Sequence, residues 1–161
     1  MKLIPLTQGQ FAKVDDWWYD YLVQWKWCAV FDKEIDGFYA IRMGNKDEKK
    51  KKIRMHRVVA KTPDKMQCDH RNHDTLNNQE GNLRNCSSSQ NSMNRNIRKD
   101  NTSGFKGVCK FLKKWRAQIH KDGKRVYCEN FNTALDAALA YDTEAKIQFG
   151  EFAVLNFPDN T

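Results

Sequence analysis

The sequence predicts an α+β chain, and three observations lead there. Between Lys114 and His120, the residues Trp115, Ala117 and Ile119 alternate with Arg116, Gln118 and His120. That period of two belongs to a strand with one buried face. Asp122-Gly123 then signals a hairpin, and Thr133 with Asp136 three residues on signals a helix start. At the other end, Trp17, Trp18, Tyr19, Tyr21, Trp25, Trp27, Phe31, Phe38 and Tyr39 crowd into a segment punctuated by Gly37 and Gly44. Short strands around an aromatic core account for that better than a base-stacking platform.

The elements follow in order. Residues 1–50 form an aromatic-rich β region, with Phe38–Arg42 a strand and Asp15–Gln24 one or two helical turns. The run Lys49–Lys52 is a solvated turn or a phosphate contact. Ile53–Lys61 reads as a strand end feeding a short helix that closes before Pro63. Of the thirty residues 72–101, nine are Asn. Leu76, Leu83, Cys86 and Met93 interrupt them regularly, so a tight hydrogen-bonded loop explains the composition better than disorder. Ser87, Ser88 and Ser89 are N-cap candidates for a helix to about Arg98, on which Asn91, Asn94, Arg95 and Arg98 would share a face. Residues 99–104 read as a linker. Three strands near 105–111, 114–120 and 124–131 precede a helix from Thr133 to about Gly150.

Composition narrows the function. The 161 residues carry a net charge of +8, distributed as −2 over residues 1–48, +15 over 49–125 and −5 over 126–161. A basic segment between acidic ends points to a polyanion, with nucleic acid the first candidate. No apolar run approaches the roughly 20 residues of a membrane span, and the first residues lack a signal-peptide pattern. Five cysteines without a Cys-x-x-Cys pair argue against a disulfide framework or a four-cysteine zinc site. They read as reduced thiols, and the expected compartment is the cytoplasm.

Asp69, His70, Asn82 and Asn91 could carry chemistry. Asp69 offers a hard oxygen ligand for Mg²⁺ or Mn²⁺, and His70 can take a proton from water. With a basic surface to hold a phosphodiester, these are parts of a metal-assisted hydrolase. His73, beside Asp74, is the rival base, and His56 reads as scaffold. Adjacent residues on a strand face opposite ways, so Asp69 and His70 can serve one centre only where the strand ends or twists.

Met55-His56-Arg57-Val58-Val59, Cys68 to Asn78, Gly81-Asn82-Leu83-Arg84 and Ser89-Gln90-Asn91 together resemble the HNH endonucleases, the phage-type homing enzymes in particular. The resemblance implies a ββα-metal core in residues 51–98. Asp69 and Asn91 would be metal ligands and His70 the general base. Asn82 would hold the His70 loop, and the products would carry a 5′ phosphate and a 3′ hydroxyl. Arg95 and Arg98 could meet phosphates beside the metal.

Ser103-Gly104-Phe105-Lys106-Gly107-Val108, Trp115 to Ile119, Ala137 to Asp142 and Leu155-Asn156-Phe157-Pro158 resemble the plant APETALA2/ethylene-response DNA-binding domain. Over residues 105–159 this implies a three-stranded antiparallel sheet, packed on one helix, that enters the major groove. Arg116, Gln118, His120, Lys106, Arg125 and Tyr127 would face DNA. Cys109, Phe111, Gln118 and His120 depart from the plant pattern, so the plant recognition sequence does not transfer.

The sequence therefore predicts a metal-dependent, site-directed DNA endonuclease of homing type, acting on double-stranded DNA as a monomer or homodimer. The alternatives are a catalytically silent DNA-binding regulator and an RNA-directed nuclease.

Overall fold

The first hairpin pairs β1 (Lys2–Pro5) with β2 (Phe11–Val14) and turns through Gln8 and Gly9, both at positive φ. In the computed structural model, which describes residues 1–45, 51–95, 97 and 100–158, it opens the first of two compact units, Met1–Ser87 and Ser88–Thr161. Helix α1 (Asp16–Leu22) follows within the expected Asp15–Gln24. Strands β3 (Cys28–Asp32), β4 (Gly37–Met43) and β5 (Lys52–Arg54) then form an antiparallel sheet. Helix α2 (Met55–Val59) continues from β5, matching the strand-into-helix expectation for 53–61. Strand β6 (Gln67–His70) pairs antiparallel with β7 (Leu83–Cys86).

The core of this unit gathers Ile4, Val14, Leu22, Trp27, Met55, Val59 and Leu83. Trp27 is buried and donates its indole N–H to Leu22 O at 2.8 Å, and Trp18, Tyr19 and Trp25 pack against the cluster. The aromatic-core expectation holds for these four. It fails for Trp17, 70% exposed, which points about 100° round the helix from Trp18, and for Tyr21 and Phe31, which are also exposed. Of Lys49–Lys52, only Lys51 and Lys52 fall among the described residues.

The second unit begins with α3 (Ser88–Met93). It continues as a sheet in the order β10-β9-β8, from β8 (Val108–Phe111), β9 (Lys114–Lys121) and β10 (Lys124–Phe131). Helix α4 (Ala134–Phe149) packs on it. Thr133 caps α4 as expected, its Oγ1 accepting from Asp136 N at 3.1 Å. Val108, Ala117 and Ile119 of the sheet meet Ala137, Ala138, Tyr141 and Ala145 of α4, and the alanines let the two layers close. Gly107 sits at φ +72°, and a Cβ there would lie 2.0 Å from Tyr141 Cε2, so only glycine fits.

Two local expectations are corrected. Helix α3 ends at Met93, not near Arg98. Asn94 is buried just past its end, so the supposed common face with Asn91 and Arg95 does not form. The first strand of the sheet starts at Val108 and not at Phe105. Among the described residues no helix is long and apolar enough to cross a membrane.

Candidate active site

The β6–β7 ladder sets Asp69 opposite Arg84 and His70 opposite Leu83. Arg84 Nε and Nη2 both bind Asp69 Oδ2, at 2.9 and 2.8 Å, and both side chains are buried. β6 ends at His70 and the chain turns through Arg71 and Asn72. The strand therefore stops where two adjacent side chains would otherwise diverge, and Asp69 and His70 are both buried, 7% and 5% exposed.

The loop that follows is built from side-chain-to-backbone bonds, the reason for its asparagines. Asn72 Oδ1 accepts from Asp74 N, Asp74 Oδ1 from Leu76 N and Asn77 Oδ1 from Gln79 N. Asn82 spans the loop: its Oδ1 accepts from Asn72 N at 3.1 Å and its Nδ2 donates to Asn77 O at 2.8 Å. The N-terminal hairpin holds the outer edge. Lys13 N donates to Leu76 O, Asn78 N to Lys13 O, and Lys13 Nζ meets Asp74 Oδ2 at 2.8 Å. Asp15 accepts from Glu80 N and Gln79 Nε2. His73 is exposed in this loop at φ +62°.

Burial pushes the His70 imidazole below its ordinary value, against the opposing pull of Asn78 and the Asp69 carboxylate. His56 lies edge-on to His70 at 5.0 Å, and burial, with His70 nearby, pushes it down to about 2. Tyr39 packs 5.3 Å from His56 and 6.2 Å from His70, under the Arg54 guanidinium. Both imidazoles are thus held neutral at pH 7, the form in which a histidine can accept a proton. Sequence reasoning assigns no part in this site to Tyr39, Asn78 or Arg84. Only the strand register, which pairs Asp69 with Arg84, shows that partner.

Asn91 lies on α3, in the second unit, with Arg95 exposed just beyond the helix. Arg98 falls outside the described residues. On the sheet face away from α4, Arg116, Gln118 and His120 align with Arg125, Cys128 and Asn130 of β10. Arg116 Nε donates to Asn130 Oδ1 at 3.0 Å, and its guanidinium lies 3.3 Å from the Phe111 ring centroid. Tyr127 does not join this face. A bulge between Arg125 and Tyr127 adds one residue, turns Tyr127 opposite Ile119, and packs it on the α4 side. Lys106 precedes β8; its ammonium donates to Met93 O and Arg95 O, and burial brings it down to about 8.

Over 112 residues, 65% of the chain, the sequence is 35% identical to an uncharacterized HNH endonuclease of Acanthamoeba polyphaga mimivirus, covering 58% of that protein. Over those residues the chain is distantly homologous to that viral protein. The chain's C-terminal part is similar to part of two plant proteins named for binding a dehydration-responsive element. Fifty residues, 30% of the chain, are 44% identical to dehydration-responsive element-binding protein 2A of Oryza sativa subsp. indica, 18% of that protein. A stretch of 57 residues, 29% of the chain, is 39% identical to dehydration-responsive element-binding protein 2E of Arabidopsis thaliana, 23% of that protein. The chain thus spans just over half the length of its viral relative and about a fifth of the plant ones. No family model and no solved structure matches it. Its three-stranded sheet on one 16-residue helix is the arrangement of APETALA2-type domains.

The relationship to HNH enzymes implies a divalent metal. Among the described residues no group of three or more His, Cys, Asp or Glu side chains gathers as a metal cage. The hard oxygen donor beside His70 is the Asp69 carboxylate, whose Oδ2 already accepts from Arg84. A carboxylate is the donor type that suits Mg²⁺ or Mn²⁺, which complete their shells with water and phosphate.

Proposed function

We propose that the protein is a metal-dependent DNA endonuclease that cuts at a directed site, as homing enzymes do. The observation that carries this reading is the buried pair Asp69–His70 at the end of β6, in a chain related to an HNH endonuclease. His70, kept neutral by burial, takes the proton of the attacking water. Asn82 keeps the loop after His70 in one conformation, so that the imidazole is already oriented when substrate arrives. A divalent cation, Mg²⁺ or Mn²⁺, held by Asp69 and Asn91, would stabilise charge on the departing 3′ oxygen. Arg116, Gln118, His120 and Arg125 on the open sheet face, with Arg95, bind the duplex. In this division of labour residues 51–98 form the nuclease core and 105–159 the DNA-binding domain.

Arg84 favours a second reading. Its grip on Asp69 Oδ2 would also serve a purely structural ion pair, and the protein would then be a catalytically silent DNA-binding regulator. Supercoiled plasmid separates the two. With Mg²⁺ or Mn²⁺ the wild type should produce open circles. EDTA should stop it, and His70→Ala should lose cleavage by about 10²–10⁴-fold while retaining a gel shift. Intact plasmid beside a clear wild-type gel shift would establish the silent binder.

A further inference from the structure

Lys106 looks from the sequence like a side chain directed at DNA, yet its ammonium is spent on the main chain. It donates to Met93 O and Arg95 O, each at 2.6 Å. Those carbonyls close the C-terminal end of α3, where a helix leaves acceptors unsatisfied and welcomes a cation. The backbone of Lys106 is pinned as firmly. Its N donates to Asn156 Oδ1 at 2.6 Å, and its O accepts from Asn156 Nδ2 at 3.2 Å. Asn156 is fixed in turn by the buried Asp142 of α4, which accepts from both its N and its Nδ2. A continuous path of hydrogen bonds therefore runs from α4 through Asp142, Asn156 and Lys106 to the end of α3.

The surroundings point the same way. Met93 is buried, and α3 packs on the turn Gly150–Phe152. Asn101 Oδ1 accepts from Ser103 N and Gly104 N, which shapes the segment expected to be a linker. Between α3 and the sheet lies a cavity of about 740 Å³, with Lys106 in its lining. Side-chain packing does not fill that gap, and the ammonium reaches the α3 end alongside it.

We propose that Lys106 is a positioning residue: a clasp that fixes α3, and Asn91 with it, to the DNA-binding sheet. The register of the sheet on the duplex then selects the phosphodiester that is cut. This rests on the nuclease reading above. Its consequence can be sized. A free six-residue linker would let its ends wander by about 13 Å, roughly four phosphate spacings along one strand. A clasped one confines cutting to a single main position.

Lys106→Met keeps the aliphatic stem and removes the ammonium. End-labelled duplex should then be cut at several neighbouring phosphodiesters where the wild type favours one, with affinity and its salt dependence unchanged. In the wild-type protein, amine-reactive labelling followed by mass spectrometry should find Lys106 reacting at the same rate with and without DNA. A side chain bound to phosphate would behave otherwise: Lys106→Met would weaken binding, the log–log salt slope would fall by about 1, and DNA would protect Lys106 from label. That result, or an unchanged cut pattern in a folded Lys106→Met, would overturn the clasp. Labelling needs neither cleavage nor a variant. A chain that never cuts would therefore defeat the nuclease reading while the clasp is still decided, and a variant that fails to fold leaves the wild-type labelling to decide it.

Discussion

Asp69 and Arg84 face each other across two short strands, with less than a tenth of either side chain exposed. Removing one partner would leave the other charge buried and uncompensated. Arg84→Met should therefore lower the unfolding free energy by about 3–5 kcal/mol, read from urea titrations. Adding Asp69→Asn should restore most of that loss. A single-variant effect below about 1 kcal/mol would mean that the pair behaves as a solvated one. His56 makes a second prediction, with a definite sign. It titrates near 6.5 when unfolded and at about 2 in the native state. Between those values the unfolded chain binds the additional proton. The contribution of His56 is complete above pH 6.5 and declines as pH falls, by up to about 1.4 kcal/mol per pH unit. Unfolding midpoints measured from pH 7.5 to 4.5 should show this slope, and His56→Phe should flatten it.

Elements are legible in the sequence where their causes are local. The Thr133–Asp136 cap and the alternation through Trp115, Ala117 and Ile119 each depend on neighbours within a turn or a strand, and both stand in the structure. The orientation of Tyr127 is not legible, because a bulge is defined only against the partner strand. Nor is the end of α3, where Lys106, eleven residues beyond Arg95, and the burial of Asn94 both act. In the candidate site, Asp69, His70 and Asn82 are visible as a spaced motif. Tyr39, His56 and Arg84 gather around them only once β4, α2 and β7 are folded together. Gly107 shows how narrowly such packing is set. Gly107→Ala would put a methyl group 2.0 Å from the Tyr141 ring at φ +72°, costing at least about 2 kcal/mol through overpacking alone. Because the chain forms two compact units, thermal unfolding of Gly107→Ala should split into two transitions. The lower one should abolish DNA binding, and the His56-dependent acid sensitivity should stay with the upper one. A single transition shifted as a whole would show that the units unfold together.

At the scale of the whole molecule, the proposed function assigns binding and cutting to side chains in different parts of the chain, so they should fail separately. In that proposal Arg116 would meet DNA from a fixed position: Asn130 and the Phe111 ring hold its guanidinium on the open face of the sheet, in line with Arg125 on β10. Neither residue is near the β6 end in sequence, and neither has a part in activating water. The variant Arg116→Ala/Arg125→Ala should therefore raise the protein concentration needed for half-maximal cleavage. It should also reduce the log–log salt slope of binding by about 2, one for each phosphate that is no longer neutralised. Once DNA is saturated with protein, its single-turnover rate should stay within about threefold of wild type, because uniform binding affects KM and not the chemical step. His70→Ala should do the reverse, holding affinity and salt slope while the single-turnover rate collapses. If the arginine variant instead lost rate at saturation, the sheet would be shaping the cleavage geometry as well as holding the duplex. The Lys106 clasp would then be the route by which a change on the sheet reaches Asn91.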